Sequence, residues 1–260
     1  MTAPSVYLVH GFLGDCDDWA PVVAALGARA HCIGVELPGH ASSGSSSIDR
    51  IALDSLSLDG AAGELARLVA ATPGAALVGY SMGGRVALRA ASLAPESFAQ
   101  LLLLSVQPGI DDDTARAARA NADERLAARL ERMDGQEFRR FLHDWYGAPL
   151  FGTFTERADF PQTMERRTRQ DPPRLAAALR ALTVGAQPPL WDALQQIGGR
   201  CRYLFGVIDA AYAAVGVGIQ RRSPAVAVHG VGGAAHALHR EAPAAVAEHL
   251  LAMLANAPFA

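Results

Sequence analysis

The sequence predicts an α/β fold: a mostly parallel central sheet flanked by helices, with a helical cap insertion in its second half. Three observations predict it. Short, nearly continuous apolar runs recur along the chain, as expected of strands covered on both faces. Longer amphipathic or alanine-rich stretches separate them, which is the order of right-handed βαβ crossovers. One stretch, about 111–184, breaks the alternation and carries no convincing strand.

Taken in order, the expected strands are Ser5–Val9, His31–Glu36, Ala75–Tyr80, Gln100–Val106, Arg202–Gly206 and Ala225–His229. Helices are expected near 17–28, 56–71, 83–93, 187–197, 210–221 and 240–255. Within 111–184, Leu126, Leu130 and Met133 recur at helical spacing. That stretch holds 13 of the 23 arginines and 13 acidic residues. Near-neutral charge of this kind fits a salt-bridged helical surface. Its place in mid-chain equally fits a lid over the carboxyl edge of the sheet, where open α/β sheets bind ligands. A single domain over 1–260 with an inserted cap is therefore expected. The serine-rich run Ala41 to Ser47 is expected to be a loop.

Half of the 260 residues are apolar and 19% are charged. This excludes intrinsic disorder and leaves chain enough for a sizeable core. A net charge of −3 provides no basic field for nucleic acid or acidic lipid. All 23 basic residues are arginine, so Schiff-base and P-loop chemistry, which need lysine, are excluded. Cys16, Cys32 and Cys201 are too far apart for a CxxC pair and odd in number, which fits a reducing compartment. Neither a signal-peptide pattern nor an apolar run of roughly 18 residues is present. A cytoplasmic protein, monomeric or a small homo-oligomer, with no membrane or nucleic-acid partner, is expected.

The chemistry-bearing motif is Gly79-Tyr80-Ser81-Met82-Gly83, followed by Gly84. It fits G-x-S-x-G between an expected strand and an expected helix, the context of a nucleophile elbow. The helix start would set backbone N–H groups beside the serine oxygen. His10-Gly11-Phe12-Leu13-Gly14 follows the first strand. On its own it is an ordinary glycine-bearing turn. Beside the elbow, the Phe12 N–H and the Met82 N–H make a pair of donors for one oxyanion. The chain order Ser…Asp…His then requires an acid and a base. Asp209 stands at a strand's carboxyl end, whereas its alternative, Asp192, falls in an expected helix. His236 lies in the loop after the last strand. His239 belongs to the start of the final helix and His229 to the strand itself. No dinucleotide fingerprint is present.

These residues resemble the α/β-hydrolase superfamily over nearly the whole chain: Val9-His10-Gly11-Phe12, Leu37-Pro38-Gly39-His40, the Ser81 elbow, Asp209, and the tail His236…Glu241…Pro243. Several stretches resemble more narrowly the 2-succinyl-6-hydroxy-2,4-cyclohexadiene-1-carboxylate (SHCHC) synthases of menaquinone biosynthesis. These are His10 to Trp19, Gly79 to Ala87 with Arg85 after the elbow, Pro108-Gly109-Ile110 with Arg116 and Arg119, Asp144-Trp145-Tyr146, Leu175 to Leu179, and Gln187-Pro188. Ala235 stands before His236 where glycine is usual, and Val207-Ile208 replaces a charged pair before Asp209. Many hydrolases carry further strands ahead of the one that begins here, so six or seven strands are expected.

The resemblance implies a carbon–oxygen lyase that eliminates pyruvate from a small-molecule polycarboxylate substrate, with no metal and no cofactor. It implies a Ser81–His236–Asp209 triad in which the activated serine removes a ring proton, with Phe12 and Met82 as oxyanion donors. It further implies carboxylate contacts from Arg85, Arg119 and Arg167, and pocket walls from Tyr80 and Trp145; Arg166 and Arg169 flank the third arginine. An arginine fork suits a carboxylate because it binds in a bidentate way. Two other readings stand: a carboxylic-ester hydrolase of the same fold acting on a small ester, and a non-catalytic member of the fold.

Overall fold

The computed structural model describes residues 3–40 and 49–255. The expected serine-rich loop, Ala41 to Ser47, lies outside them. Among the described residues, seven strands form one parallel sheet: β1 (Ser5–Val9), β2 (His31–Glu36), β3 (Asp49–Ala52), β4 (Ala76–Tyr80), β5 (Gln100–Leu104), β6 (Cys201–Gly206) and β7 (Ala227–Val231). Their spatial order is β3-β2-β1-β4-β5-β6-β7. Every residue of β4 and β5 is buried, which is why their sequences read as unbroken apolar runs.

Among the described residues, eleven α-helices surround the sheet: α1 (Ala20–Leu26), α2 (Leu58–Ala70), α3 (Ser81–Leu93), α4 (Asp113–Leu130), α5 (Gly135–Tyr146), α6 (Phe160–Arg167), α7 (Pro172–Ala181), α8 (Trp191–Ile197), α9 (Ala210–Arg222), α10 (Leu238–Glu241) and α11 (Pro243–Ala255). Helices α4 to α7 fall between β5 and the start of α8, in the strand-free stretch. Ala127 and Leu130 of α4 join Leu175 and Leu179 of α7 in the common core. Arg180 of α7 spans both Glu124 and Glu131 along the same seam. Among the described residues, no helix is long and apolar enough to cross a membrane.

Several expectations need correction. Strand β3 was not anticipated. It is a half-exposed edge strand, held by its pairing with β2 from Ile33↔Asp49 to Glu36↔Ala52 rather than by an apolar run. Strand β5 stops at Leu104, two residues early, because Ser105 takes φ +49. Strand β7 begins two residues late, because the Val226 N–H closes a turn on the Ser223 carbonyl. Helix α8 starts only at Trp191, after the Pro188-Pro189 pair. The last expected helix breaks before Pro243, which opens α11.

The strand order reverses on the two sides of β1: the chain runs outward through β2 and β3, then returns to place β4 on β1's other edge. Ligands of open α/β sheets bind at the carboxyl ends of the strands flanking such a reversal. Here those ends are Val9, running into Phe12, and Tyr80, running into Ser81. Helix α3 crosses this junction very closely. A Cβ on Gly83 would sit 2.1 Å from the His10 carbonyl oxygen and 2.6 Å from that of Val9. Gly83→Ala must therefore part β1 from α3. A loss of about 2–4 kcal/mol in unfolding free energy is expected, read as a lower urea midpoint at unchanged slope.

Candidate active site

Ser81 holds φ +49, a left-handed conformation that is costly for a side chain bearing Cβ. It is the first residue of α3, reached directly from the buried strand β4. The turn leaves Oγ beside the His236 ring: Nε2 lies 3.1 Å away. On the ring's other side, Nδ1 is 2.9 Å from Asp209 Oδ2. A carboxylate can only accept, so Nδ1 carries the proton and the Nε2 lone pair faces the serine hydroxyl. Asp209 is itself fixed as the N-cap of α9, where Oδ1 accepts from the Tyr212 N–H at 3.1 Å. Asp192 is exposed in the first turn of α8 and has no part in this chain.

Glu241 holds the turn that carries His236. Its two carboxylate oxygens accept from the N–H groups on either side, Ala235 and Ala237, each at 2.7 Å. Burial pushes the Glu241 carboxyl up from its ordinary value, against these two bonds. Rings wall the imidazole: Tyr212 at 4.5 Å, Tyr80 at 5.3 Å and Phe151 at 5.8 Å between centroids.

The Phe12 loop is shaped from beneath. Leu13 takes φ +63 and its N–H donates to His40 Nε2. Burial, aided by His10, drives His40 down to about 3, so it stays neutral and can accept. His10 Nδ1 bonds the Gly11 carbonyl at 2.8 Å. Among the described residues, neither the Phe12 nor the Met82 N–H has an acceptor within the protein.

Above Ser81 lies a cavity of about 220 Å³. Tyr80, Trp145 and the arginines 85, 119 and 167 all line it, as does His236. The three arginines differ in their surroundings. Arg85 is buried and donates through Nη1 to the neutral amide of Gln187, at 3.3 Å; among the described residues no carboxylate pairs with it. Burial and the nearby Arg119 lower the Arg85 guanidinium to about 10. Arg119 is half-exposed and holds Asp123 through Nε at 2.9 Å. Asp123 in turn accepts from the Thr183 hydroxyl. Arg167 is buried with all three nitrogens engaged: Nε on the Tyr146 hydroxyl, Nη1 on Asp15, and Nη2 on Asp18. Arg166 pairs with the same two aspartates, and Arg169 points outward to Glu165. Arg116 turns back to the Ile110 carbonyl.

Sequence reasoning missed Gln187 as a partner of Arg85, Glu241 as the clamp of the His236 turn, and Asp18. For Glu241 a signal existed, since it shares the His236…Glu241 tail. His239 is also in the cavity wall, stacked at 4.2 Å on Tyr80 and 4.9 Å from Trp19. Among the described residues, no group of three or more His, Cys, Asp or Glu side chains is placed to hold a metal ion.

A strained serine at a strand-to-helix turn, bonded to a histidine bonded to an aspartate, defines an α/β-hydrolase type of site. The chain is an enzyme of the alpha/beta hydrolase family, whose pattern it matches over residues 6–249. It is 33% identical over 261 residues to the 2-succinyl-6-hydroxy-2,4-cyclohexadiene-1-carboxylate synthase of Salmonella paratyphi C, covering 97% of this chain and 94% of the relative. The same-named protein of Salmonella heidelberg is 34% identical over 262 residues, with the same coverage. The structure of MenH from S. aureus superposes with a TM-score of 0.86 at 26% identity, over 98% of this chain and 94% of that one. A thermophilic esterase from Thermogutta terrifontis shares the fold, with a TM-score of 0.73 at 23% identity over 98% and 90% of the two chains.

Burial drives His239, like His40, down to about 3, Arg240 adding to the effect against Asp18. A histidine depressed in the fold contributes stability that is complete above its unfolded pKa, about 6.5, and is lost as pH falls toward 3. Between pH 7 and pH 5 that loss is about 2 kcal/mol for one such group. His239→Phe, which keeps the stacked ring, is expected to lose about 2 kcal/mol less stability than the parent over this interval, as measured by urea unfolding at each pH.

Proposed function

We propose that the chain catalyses the elimination of pyruvate from 2-succinyl-5-enolpyruvyl-6-hydroxy-3-cyclohexene-1-carboxylate, giving SHCHC in menaquinone biosynthesis. The observation that carries this reading is Arg85. A buried guanidinium lined up on a cavity with only a neutral amide for partner is a cation waiting for an anion. The named relatives support the same reading. An ester pocket needs no such group.

The substrate bears three carboxylates, and arginine forks receive carboxylates. Arg85, with Arg119 beside it, holds one; Arg167 contributes a second contact from the insertion, which acts as a cap. Tyr80 and Trp145 bracket the ring. In the reaction the ring C–H next to the succinyl carbonyl is the acidic one, because its charge spreads onto that carbonyl oxygen. The Ser81 hydroxyl proton passes to His236 Nε2, and the serine oxygen takes the ring proton. Asp209 keeps the imidazole in the right tautomer. The Phe12 and Met82 N–H groups meet the oxyanion. The electron pair of the broken C–H bond forms a ring double bond, the existing one shifts, and the C–O bond to the enolpyruvyl group breaks. Enolpyruvate leaves and takes the proton held on His236 Nε2, becoming pyruvate. His236 thus returns to its starting state without an acyl-enzyme.

Ser81→Ala is expected to slow pyruvate release, followed through lactate dehydrogenase, by about 10²–10⁴-fold. Undiminished release would refute the assignment of the base. Arg119→Ala is expected to raise KM for the polycarboxylate by about tenfold or more, with any cleavage of p-nitrophenyl acetate unaltered. Equal losses on both substrates, or an ester turned over far faster than the polycarboxylate, would favour the esterase.

A further inference from the structure

A dense ionic cluster among the described residues forms part of the cavity wall, and of its charged members the reaction above uses only Arg167. Asp18 follows the Phe12 loop, in the short turn Cys16–Trp19. Its Oδ1 lies 3.0 Å from Arg166 Nη2, 2.6 Å from Arg167 Nη2 and 3.1 Å from Arg240 Nη1. Arg167 also meets Oδ2. Asp15 is a lesser neighbour, with Arg166 Nε at 3.2 Å and Arg167 Nη1 at 3.0 Å on one oxygen and its other oxygen without a partner. Asp18, Arg167 and Arg240 are all buried.

The three guanidiniums come from two places. Arg166 and Arg167 end α6, in the insertion. Arg240 lies in α10, four residues past His236. Asp18 thus touches the segment after the Phe12 loop, the insertion and the turn of His236 together, while Asp159, at the start of α6, adds a second link from the insertion to Arg240 at 2.5 Å. Arg240 extends the tie by donating to Thr163 of α6. Apolar side chains of similar size would join these segments at least as firmly, because burying charges is costly. What an ionic cluster adds is direction: a guanidinium fork bonded at several nitrogens is fixed in plane as well as in place. For Asp18, the pull of Arg167 and Arg240 outweighs burial and keeps the carboxyl well below its ordinary value. For Asp15, burial and the charge of Asp18 push the carboxyl up. Of the two, Asp18 holds its charge the more firmly.

We propose that Asp18 is a positioning residue, which sets Arg167, the Phe12 loop and the His236 turn in one register by accepting from Arg166, Arg167 and Arg240 together. It makes no bond to substrate. Its connection with the proposed lyase reaction runs through the groups it holds, Arg167, the Phe12 donor and the His236 turn, so the inference rests on that reading only for its kinetic consequence.

The test compares the full-length protein with Asp18→Asn and with the charge-balanced pair Asp18→Asn/Arg166→Gln, which keeps the test open should the single variant not fold. Three readouts are taken: hydrogen exchange by mass spectrometry, labelling of Ser81 by diethyl p-nitrophenyl phosphate, and pyruvate release. In whichever variant folds, exchange is expected to quicken by about tenfold or more in Phe160–Arg167 and Leu238–Glu241 together, with β4 and α3 unchanged. KM is expected to rise by about tenfold and kcat to fall by about three- to tenfold, and Ser81 is still labelled. Exchange and KM within about twofold of the parent, or exchange raised evenly along the whole chain in both variants, would overturn the proposal. A parent enzyme that is labelled at Ser81 but releases no pyruvate would sink the lyase reading instead, and the exchange pattern alone would then decide the role of Asp18.

Discussion

The backbone at Ser81 is the constraint on which the site depends. A left-handed conformation at a residue with a side chain costs on the order of 1–3 kcal/mol. It persists because both flanks are rigid: β4 is wholly buried, and α3 lies on the β1 carbonyls with room for no Cβ at Gly83. A Cβ on Gly79 would come within 2.5 Å of the Gly84 Cα, so strand and helix touch backbone to backbone. The same tight crossing fixes where Met82 N–H points and how near it lies to the Phe12 loop, which leaves β1 alongside. Serine, hydrogen-bond donors and sheet reversal are thus one geometric fact.

Around that fixed point the chain distributes charge in two different ways. Arg85, on α3, belongs to the rigid frame and has a neutral amide for company. Arg167, on α6, belongs to the insertion and is already engaged by two aspartates and a tyrosine. An incoming carboxylate therefore gains more at Arg85, where it relieves an unpaired buried cation, than at Arg167, where it must share a guanidinium. On the proposed reading, Arg85 supplies affinity and Arg167 supplies orientation.

Much of this was legible in the sequence, and the reason differs from residue to residue. Strands β1, β2, β4 and β5 announce themselves because burial on both faces makes their apolar runs nearly continuous. Strand β3 does not, since Asp49-Arg50-Ile51-Ala52 owes its extended shape to a neighbour and not to its own composition. Ser81, Asp209 and His236 could be read because each follows a strand's carboxyl end, and the structure joins them in one hydrogen-bonded chain. The surroundings of Arg166, Arg167 and Arg169 could not be read: the first two converge on the same pair of aspartates, while the third, two residues on, turns outward to Glu165, and no local spacing foretells either partner. Asp18 was equally hidden, because its partners stand about 150 and 220 residues away in sequence, beyond any local pattern.

The protonation state of His239 completes the electrostatic picture. Its ring lies one residue from Arg240, in the same wall as Arg167 and His236, where a further cation would repel all three. Burial prevents that charge, and the two ring nitrogens have no hydrogen-bond partner to invite it. Being neutral, the imidazole packs closely on Tyr80, tilted by 41°, and Tyr80 in turn packs on His236. The positive charge near the serine is thereby confined to arginines whose forks are held by named partners, and the base is approached on that side by rings alone. On the proposed reading, a proton drawn from a polyanionic substrate passes to the Ser81 oxygen, whose own proton goes to His236 Nε2, in a setting where cations fix the substrate's ends and uncharged groups surround the site of transfer. That separation of tasks is what an elimination from a multiply charged acid requires: strong binding away from the reacting carbon, and at the carbon itself nothing that competes with the imidazole for the proton.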